Sequence, residues 1–351
     1  MRRNIIIVAL LLLASLACQK PASQPYAPPD PAADKAAYHA LLPAADAPPV
    51  DEETIPMRHR AAFNFAGIHF RNAMGWWYFN AHAVDERGRR WAFMFAILSD
   101  NQFYGSVSLP DDDIFIPLYR KVPTVVDRLG LSAASEGIAQ LRQTERGRLR
   151  FAFRLTDPSA RLDLTLTALG PPIPVSGDGK ITMGGTGKSK YFFIPSLRVT
   201  GTAAAGGIDT KLTGLGWMDH QWGLWNYGKI KSWHWHSAHL TDGTKLMAFG
   251  FRTKDRPLHV DCDVILPGGE HKANVACSMK PLSQWKSAAT GRRWTSVWQI
   301  DAPELDLSLT LTADRENQEI NETIYEGGCY VAGTRGGKAV TGRAFYEESQ
   351  L

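Results

Sequence analysis

The stretch Thr213-Gly-Leu-Gly-Trp-Met-Asp-His-Gln-Trp-Gly223 sets a carboxylic acid and an imidazole between two tryptophans and brackets them with glycines. Asp219 and His220 titrate, while Trp217 and Trp222 offer large apolar faces. A dry pocket with a proton donor needs that mixture, because burial raises a carboxyl pKa and keeps the acid protonated. A buried turn would need the same residues, with Asp219 and His220 tying elements together by hydrogen bonds. The elements around the stretch must separate these readings.

Other chemical candidates are weaker. Gly184-Gly-Thr-Gly-Lys-Ser189 resembles the end of a phosphate loop, but Thr182 stands where glycine is required and an extended apolar run follows. Asp111-Asp-Asp113 lacks the acid spacing of a calcium loop and reads as solvated. On a strand His234 and His236 share a face and His239 points away, so a zinc site would need a further ligand such as His220. No metal is assigned. His236 is kept as a polar group that could guide water near Asp219. No Gly-x-Ser-x-Gly elbow is present, and Ser237 has no evident base.

The positioning elements emerge from internal repeats. Trp76-Trp-Tyr-Phe-Asn-Ala-His-Ala-Val-Asp85 aligns with Trp233-His-Trp-His-Ser-Ala-His-Leu-Thr-Asp242. Arg161–Thr167 aligns with Glu304–Thr310, both alternating leucine with polar residues, as half-buried strands do. Val199-Thr-Gly-Thr202 matches Val331-Ala-Gly-Thr334, and Thr213–Asp219 matches Thr341–Glu347. The order is the same in both copies. We therefore expect an all-β chain of two tandem antiparallel β-barrels, spanning 51–226 and 227–351, with Asp219 near the junction. Glu347 holds the matching place in the second copy, which lacks the His220-Gln-Trp222 continuation. An acid there could thus be partly architectural, and the functional expectation moves toward that continuation.

The 351 residues are 44% apolar with 31 Gly and 21 Pro, in keeping with a turn-rich β protein. A formal charge of +4 without a dense basic run argues against nucleic-acid binding. Met1-Arg-Arg, the apolar run Ile5–Leu13 and Ala14-Ser-Leu-Ala-Cys18 read as a lipoprotein-type signal over 1–18, with Cys18 acylated. An ordinary secretory signal cut nearby is the other reading. Gln19 after Cys18 points to the outer membrane of a bacterial envelope, facing the periplasm. Residues 19–50, with eight prolines and many alanines, read as a disordered tether. Cys262 and Cys277 lie either side of the Pro267-Gly-Gly-Glu270 turn and could form a disulfide in an exported protein.

Gly75-Trp-Trp-Tyr-Phe-Asn80, Tyr191–Thr202, Gly216-Trp-Met-Asp-His-Gln-Trp-Gly223 and Tyr325-Glu-Gly-Gly with Thr341-Gly-Arg343 resemble the AttH-type/carotenoid hydratase family of lipocalin-like proteins. The resemblance covers roughly 55–351 and implies two tandem lipocalin-like β-barrels. Members of that family hydrate isoprenoid double bonds, fungal relatives promote pericyclic closures, and many bacterial members are described as secreted hydrolases. Two departures are visible. Gly75 stands where an acid usually precedes the paired tryptophans, and Trp233-His-Trp-His236 replaces a common Trp-Asp-Trp-Phe.

The resemblance implies cofactor-free acid catalysis on an apolar alkene. Asp219 would be the acid, His220, His236 or Tyr227 would guide water, and Trp217, Trp222, Trp77 and Trp235 would line the substrate pocket. The rival expectations are a non-enzymatic lipid or isoprenoid carrier and an accessory lipoprotein of an envelope transport system.

Overall fold

The computed structural model describes residues 25–51, 53, 74–127, 132–145, 147–255 and 258–351. The signal segment and the lipidation site Cys18 lie outside the described residues. The chain enters through helix α1 (Pro31–Ala40) and is then almost entirely antiparallel strand. The first unit contains β1 (Met74–Asp85), β2 (Arg90–Leu98), β3 (Gln102–Leu109), β4 (Ile114–Lys121), β5 (Thr124–Val126) and β6 (Ser132–Ser135). It continues with β7 (Ala139–Gln143), β8 (Arg150–Asp157), β9 (Ala160–Ala168), β10 (Ile173–Pro174), β11 (Lys180–Ile181), β12 (Gly187–Ala205) and β13 (Ile208–Trp225). The second contains β14 (Ile230–Leu240), β15 (Lys245–Thr253), β16 (His259–Ile265), β17 (His271–Lys272) and β18 (Ser278–Lys286). Its remaining strands are β19 (Arg293–Ala302), β20 (Leu307–Ala313), β21 (Glu319–Asn321), β22 (Ile324–Arg335) and β23 (Lys338–Gln350).

Among the described residues these strands form two curled sheets. The main path of one runs β4-β3-β2-β1-β13-β12-β9-β8-β7-β6-β5, and that of the other β17-β16-β15-β14-β23-β22-β20-β19-β18. The repeat seen in the sequence is thus a repeat of pairing. In each copy the opening strand lies beside the closing one, β1 with β13 and β14 with β23. Equivalent glycines sit at equivalent close approaches. A Cβ at Gly214 would lie 2.4 Å from the carbonyl oxygen of His82, and one at Gly342 2.1 Å from that of His239.

Alternation along these strands sorts the side chains into three cores. Trp77, Phe79 and Met218 fill the inside of the first sheet. Ala238, Trp298 and Tyr346 fill the inside of the second. Tyr78, Trp217, Trp235 and Phe345 meet in a third core formed between the two sheets.

Within the stretch expected as a tether, Pro31–Ala40 is instead a docked helix. Asp30 caps it by accepting from the Ala32 N–H at 3.1 Å, and Pro31 occupies the first turn, where a missing N–H costs nothing. Asp34, Ala37 and Tyr38 are buried on one face. Composition hid this helix because its buried stripe is short and includes an acid. Cys262 and Cys277 also depart from expectation: both are free thiols, with Cys262 buried. A contact with Cys277, and then burial, push the Cys262 thiol up.

Candidate functional site

The core between the sheets contains acids where an apolar core should have none. Tyr78 on β1 faces Asp219 on β13, and the equivalent pair in the second sheet is Trp235 on β14 with Glu347 on β23. Glu326 lies beside Glu347 on β22. All three acids are buried, with exposures of 2%, 0% and 8% for Asp219, Glu326 and Glu347. The Tyr191 hydroxyl donates to Asp219 Oδ2 at 3.0 Å, and the Tyr78 hydroxyl donates to Glu326 Oε1 at 2.6 Å. Asn80 Nδ2 donates both to the Tyr78 oxygen at 3.0 Å and to Ser237 Oγ at 3.1 Å, joining the sheets. The Trp233 indole donates to Glu347 Oε1. Asp219 Oδ1 has no hydrogen-bond partner among the described residues.

Burial governs the protonation of these groups. It holds Asp219 well above the usual carboxylate range; the Tyr191 bond opposes this, and repulsion from Glu347 reinforces it. Glu326 is raised well above its usual value by burial and then by the charge of Glu347. Glu347 is pushed up to about 7 by burial, against the Trp233 hydrogen bond. At neutral pH the cluster is therefore a store of protons in a water-poor setting.

Asp219 and Glu347 line a cavity of about 20 Å³, together with Tyr78, Tyr104, Tyr191 and aromatic rings that include Trp76, Trp233 and Trp235. That volume is close to what one water requires. Trp76 is only half-buried and contacts Trp233 at 6.1 Å between ring centroids.

The expected site residues divide by strand parity. Asp219, Trp217 and Trp235 all reach the core between the sheets. His220 does not, because it follows Asp219 directly and so turns to the opposite face of β13. There it is stacked between Trp77 at 4.7 Å and Trp222 at 4.6 Å, with Nδ1 bonded to the Trp76 carbonyl oxygen at 2.7 Å. His220, Trp77 and Trp222 are thus corrected from site residues to packing of the first sheet. His236 is corrected likewise: it stacks on Tyr346 at 5.6 Å inside the second sheet, and burial lowers its pKa to about 3. Tyr227 packs on Trp225 and Trp233 at the edge of the core and is not among the residues lining the acid cavity.

Three groups of the cluster were not selected from sequence. Glu326 lay inside the Tyr325-Glu-Gly-Gly motif and Tyr191 opened another, but neither carried a spacing that pointed to Asp219. Glu347 was visible as the repeat partner of Asp219, and its place across the sheet interface was not. Gly75, the departure from the acid expected before the paired tryptophans, lies at a close approach of β1 to β13. A Cβ at Gly75 would lie 2.5 Å from the Gln221 carbonyl oxygen and 2.9 Å from Trp222 Cβ. Among the described residues no group of three His, Cys, Asp or Glu side chains is placed to hold a metal.

A family model described as AttH-like matches residues 132–347. Among solved structures, an AttH protein from Nitrosomonas europaea is 21% identical, covers 79% of this chain and 92% of its own, and superposes with a TM-score of 0.69. Kievitone hydratase from Nectria haematococca is 16% identical over 89% of this chain and 98% of its own, with a TM-score of 0.74. CghA is 14% identical over 80% and 88%, with a TM-score of 0.53. No match is found among curated proteins.

Proposed function

This chain belongs to the AttH-like family, and from that footing we propose that it adds water to an apolar alkene, of isoprenoid type, by acid catalysis at the interface between its two sheets. One observation carries the reading. Asp219 is a buried carboxylic acid with one oxygen unpartnered, facing an aromatic cavity that it shares with a second buried acid. The similarity in fold to kievitone hydratase supports the same class of reaction.

In this scheme protonated Asp219 gives its proton to one alkene carbon, leaving a cation on the neighbouring carbon and a carboxylate on the enzyme. The faces of Trp76, Trp233 and Trp235 stabilise the cation, each by ~0.5–2 kcal/mol. Water adds its oxygen to the cation and returns a proton to the carboxylate, which restores the acid. Tyr191 orients Asp219 through Oδ2 and leaves Oδ1 as the donating atom. The chemistry requires no cofactor. A cavity of about 20 Å³ admits water and no isoprenoid, so substrate entry requires the sheets to part beside half-buried Trp76.

The rival reading as a lipid carrier has less support. A carrier needs an open apolar lumen; the interior of the first curled sheet is filled by its own side chains, and the opening into the second is lined by charged residues such as Arg252, Lys254 and Arg293. Export as a lipoprotein is proposed on residues 1–18 alone. To test the hydratase reading, purified protein is incubated with isoprenoid and envelope-lipid extracts, and products heavier by one water are sought by mass spectrometry. Asp219→Asn is expected to slow their formation by about 100-fold or more. Undiminished turnover in that variant would remove Asp219 from the mechanism.

A further inference from the structure

On the face of β14 and β23 opposite the acid cluster, a cleft of about 800 Å³ opens into the second half-barrel, bounded across from them by β18 and β19. Strand register builds its wall. Arg252, Ser232 and Gln350 lie side by side on β15, β14 and β23, and His234 with Glu348 forms the next rung inward. The floor is His234 packed against Trp298, with ring centroids 5.0 Å apart. His234 Nδ1 and Trp298 Nε1 are both buried without a hydrogen-bond partner among the described residues.

Five cations surround this floor: Lys231, Arg252, Lys254, Arg292 and Arg293. Elsewhere Arg90, Arg335 and Arg343 are matched to acids. Among the described residues none of these five is ion-paired, and the Arg292 guanidinium donates to the amide oxygen of Gln350 at 3.5 Å. The acidic side chain lining the cleft is Glu348. Glu348 is already engaged by the Thr295 N–H at 2.9 Å and by Gln350 Nε2 at 3.1 Å, and burial raises its pKa. Set against a formal charge of +4 for the whole chain, five cations in one cleft concentrate the positive field there. Such a field draws anions and is strengthened by low-dielectric walls.

We infer that this cleft binds an organic anion, its phosphate or carboxylate held among Arg252, Lys254 and Arg293 and its body lying over Trp298 and His234. Guanidinium groups suit that role because their N–H fork matches the oxygens of either anion. The half-buried His234 imidazole and the Trp298 ring supply the floor on which that body rests. A soluble phosphate ester and the headgroup of an anionic lipid share this chemistry.

Calorimetric titration with hexyl phosphate tests the site, with inorganic phosphate as the comparison lacking an apolar body. We expect saturable one-to-one binding of hexyl phosphate, tighter than inorganic phosphate and weakened at least 10-fold by Arg252→Gln combined with Arg293→Gln. Binding should also weaken as sodium chloride rises from about 50 to about 500 mM. Asp219→Asn should leave it unchanged, which separates this site from the acid cluster. Both arginines are exposed at the rim, and the two single variants, each checked by its melting curve, serve if the double variant melts early. Co-sedimentation with phosphatidylglycerol vesicles, lost in the same variants, would assign the anion to a lipid headgroup. Hexyl phosphate binding without vesicle association would assign it to a soluble molecule. Absence of both, or binding indifferent to the arginine substitutions, overturns the proposal.

Discussion

Glu347 shows how much depends on a single carboxyl at this interface. Its pKa rises from 4.5 to about 7 because the neutral form tolerates burial and the charged form does not. Between pH 4.5 and 7 the folded chain keeps a proton at Glu347 that the unfolded chain releases. The contribution of this residue to stability therefore falls as pH rises through that window, by about 3 kcal/mol in all, and is level outside it. Buried His234, His236 and His239, lowered to about 4, 3 and 4, act in the opposite sense. They remain neutral when folded and charge when unfolded, so their contributions fall as pH drops below about 6.5. A variant isolates one group from the other. Glu347→Gln cannot ionise and keeps an acceptor for the Trp233 indole. Relative to the parent it should gain stability progressively from pH 4.5 to 7, whatever constant cost the amide brings. Urea unfolding of both proteins across that range measures the difference. A pH-independent difference would mean that Glu347 is charged in the folded protein.

At the scale of elements, helix α1 acts as a clamp. Asp34 receives Arg90 from β2 of the first sheet on one oxygen and Arg343 from β23 of the second on the other. Arg343 also bonds Asp314 at 2.5 Å and lies 4.5 Å from the centre of the Tyr38 ring, while Arg90 bonds Asp111 at 2.6 Å. Asp111 was expected to be solvated and is instead part of this network. Removing one member of a buried ionic network leaves charge without its counter-charge, a loss of about 3–5 kcal/mol. Asp34→Ala should approach the lower end, since Asp111 and Asp314 still accompany the two arginines. Denaturant unfolding should show the loss. A variant within about 0.5 kcal/mol of the parent would mean that the clamp contributes little. The helix also shuts one side of the interface, because the Tyr38 hydroxyl lies 3.3 Å from His82 Nδ1 and the other ring nitrogen of His82 lies 3.1 Å from the Ala344 carbonyl oxygen.

Across the whole molecule, the two sheets are joined by an aromatic core rather than by a linker alone, and the acid cluster lies within that core. Under the proposed reaction, movement of one sheet against the other would both admit an alkene and change the solvation of the acids. The docked helix changes the geometry of the proposed anchor as well. From Cys18 to Pro31 the chain can span at most ~45 Å, less than half the reach of a tether running to residue 50. If Cys18 is acylated, Cys18→Ser should move the protein from the membrane fraction to the soluble fraction of the cells that make it. Retention of the variant in the membrane fraction would place the attachment elsewhere.

What was legible in the sequence was the part encoded by local periodicity. Leucine alternation, the paired tryptophan hairpins and the ordered repeats state that the chain is all-β and doubled, because strand period and turn chemistry are properties of neighbouring residues. The equivalence of Asp219 and Glu347 was legible for the same reason. Tertiary structure decided the composition of the site. His220 and Trp222 are adjacent in sequence to the chemistry yet separated from it by the sheet itself, since each step along β13 reverses the face. Glu326 and Glu347 are distant in sequence from Asp219 yet share its core, because two sheets had to pack before their central strands could meet. The helix around Asp34 was hidden likewise, because its stability comes from arginines of two sheets that no local pattern connects to it.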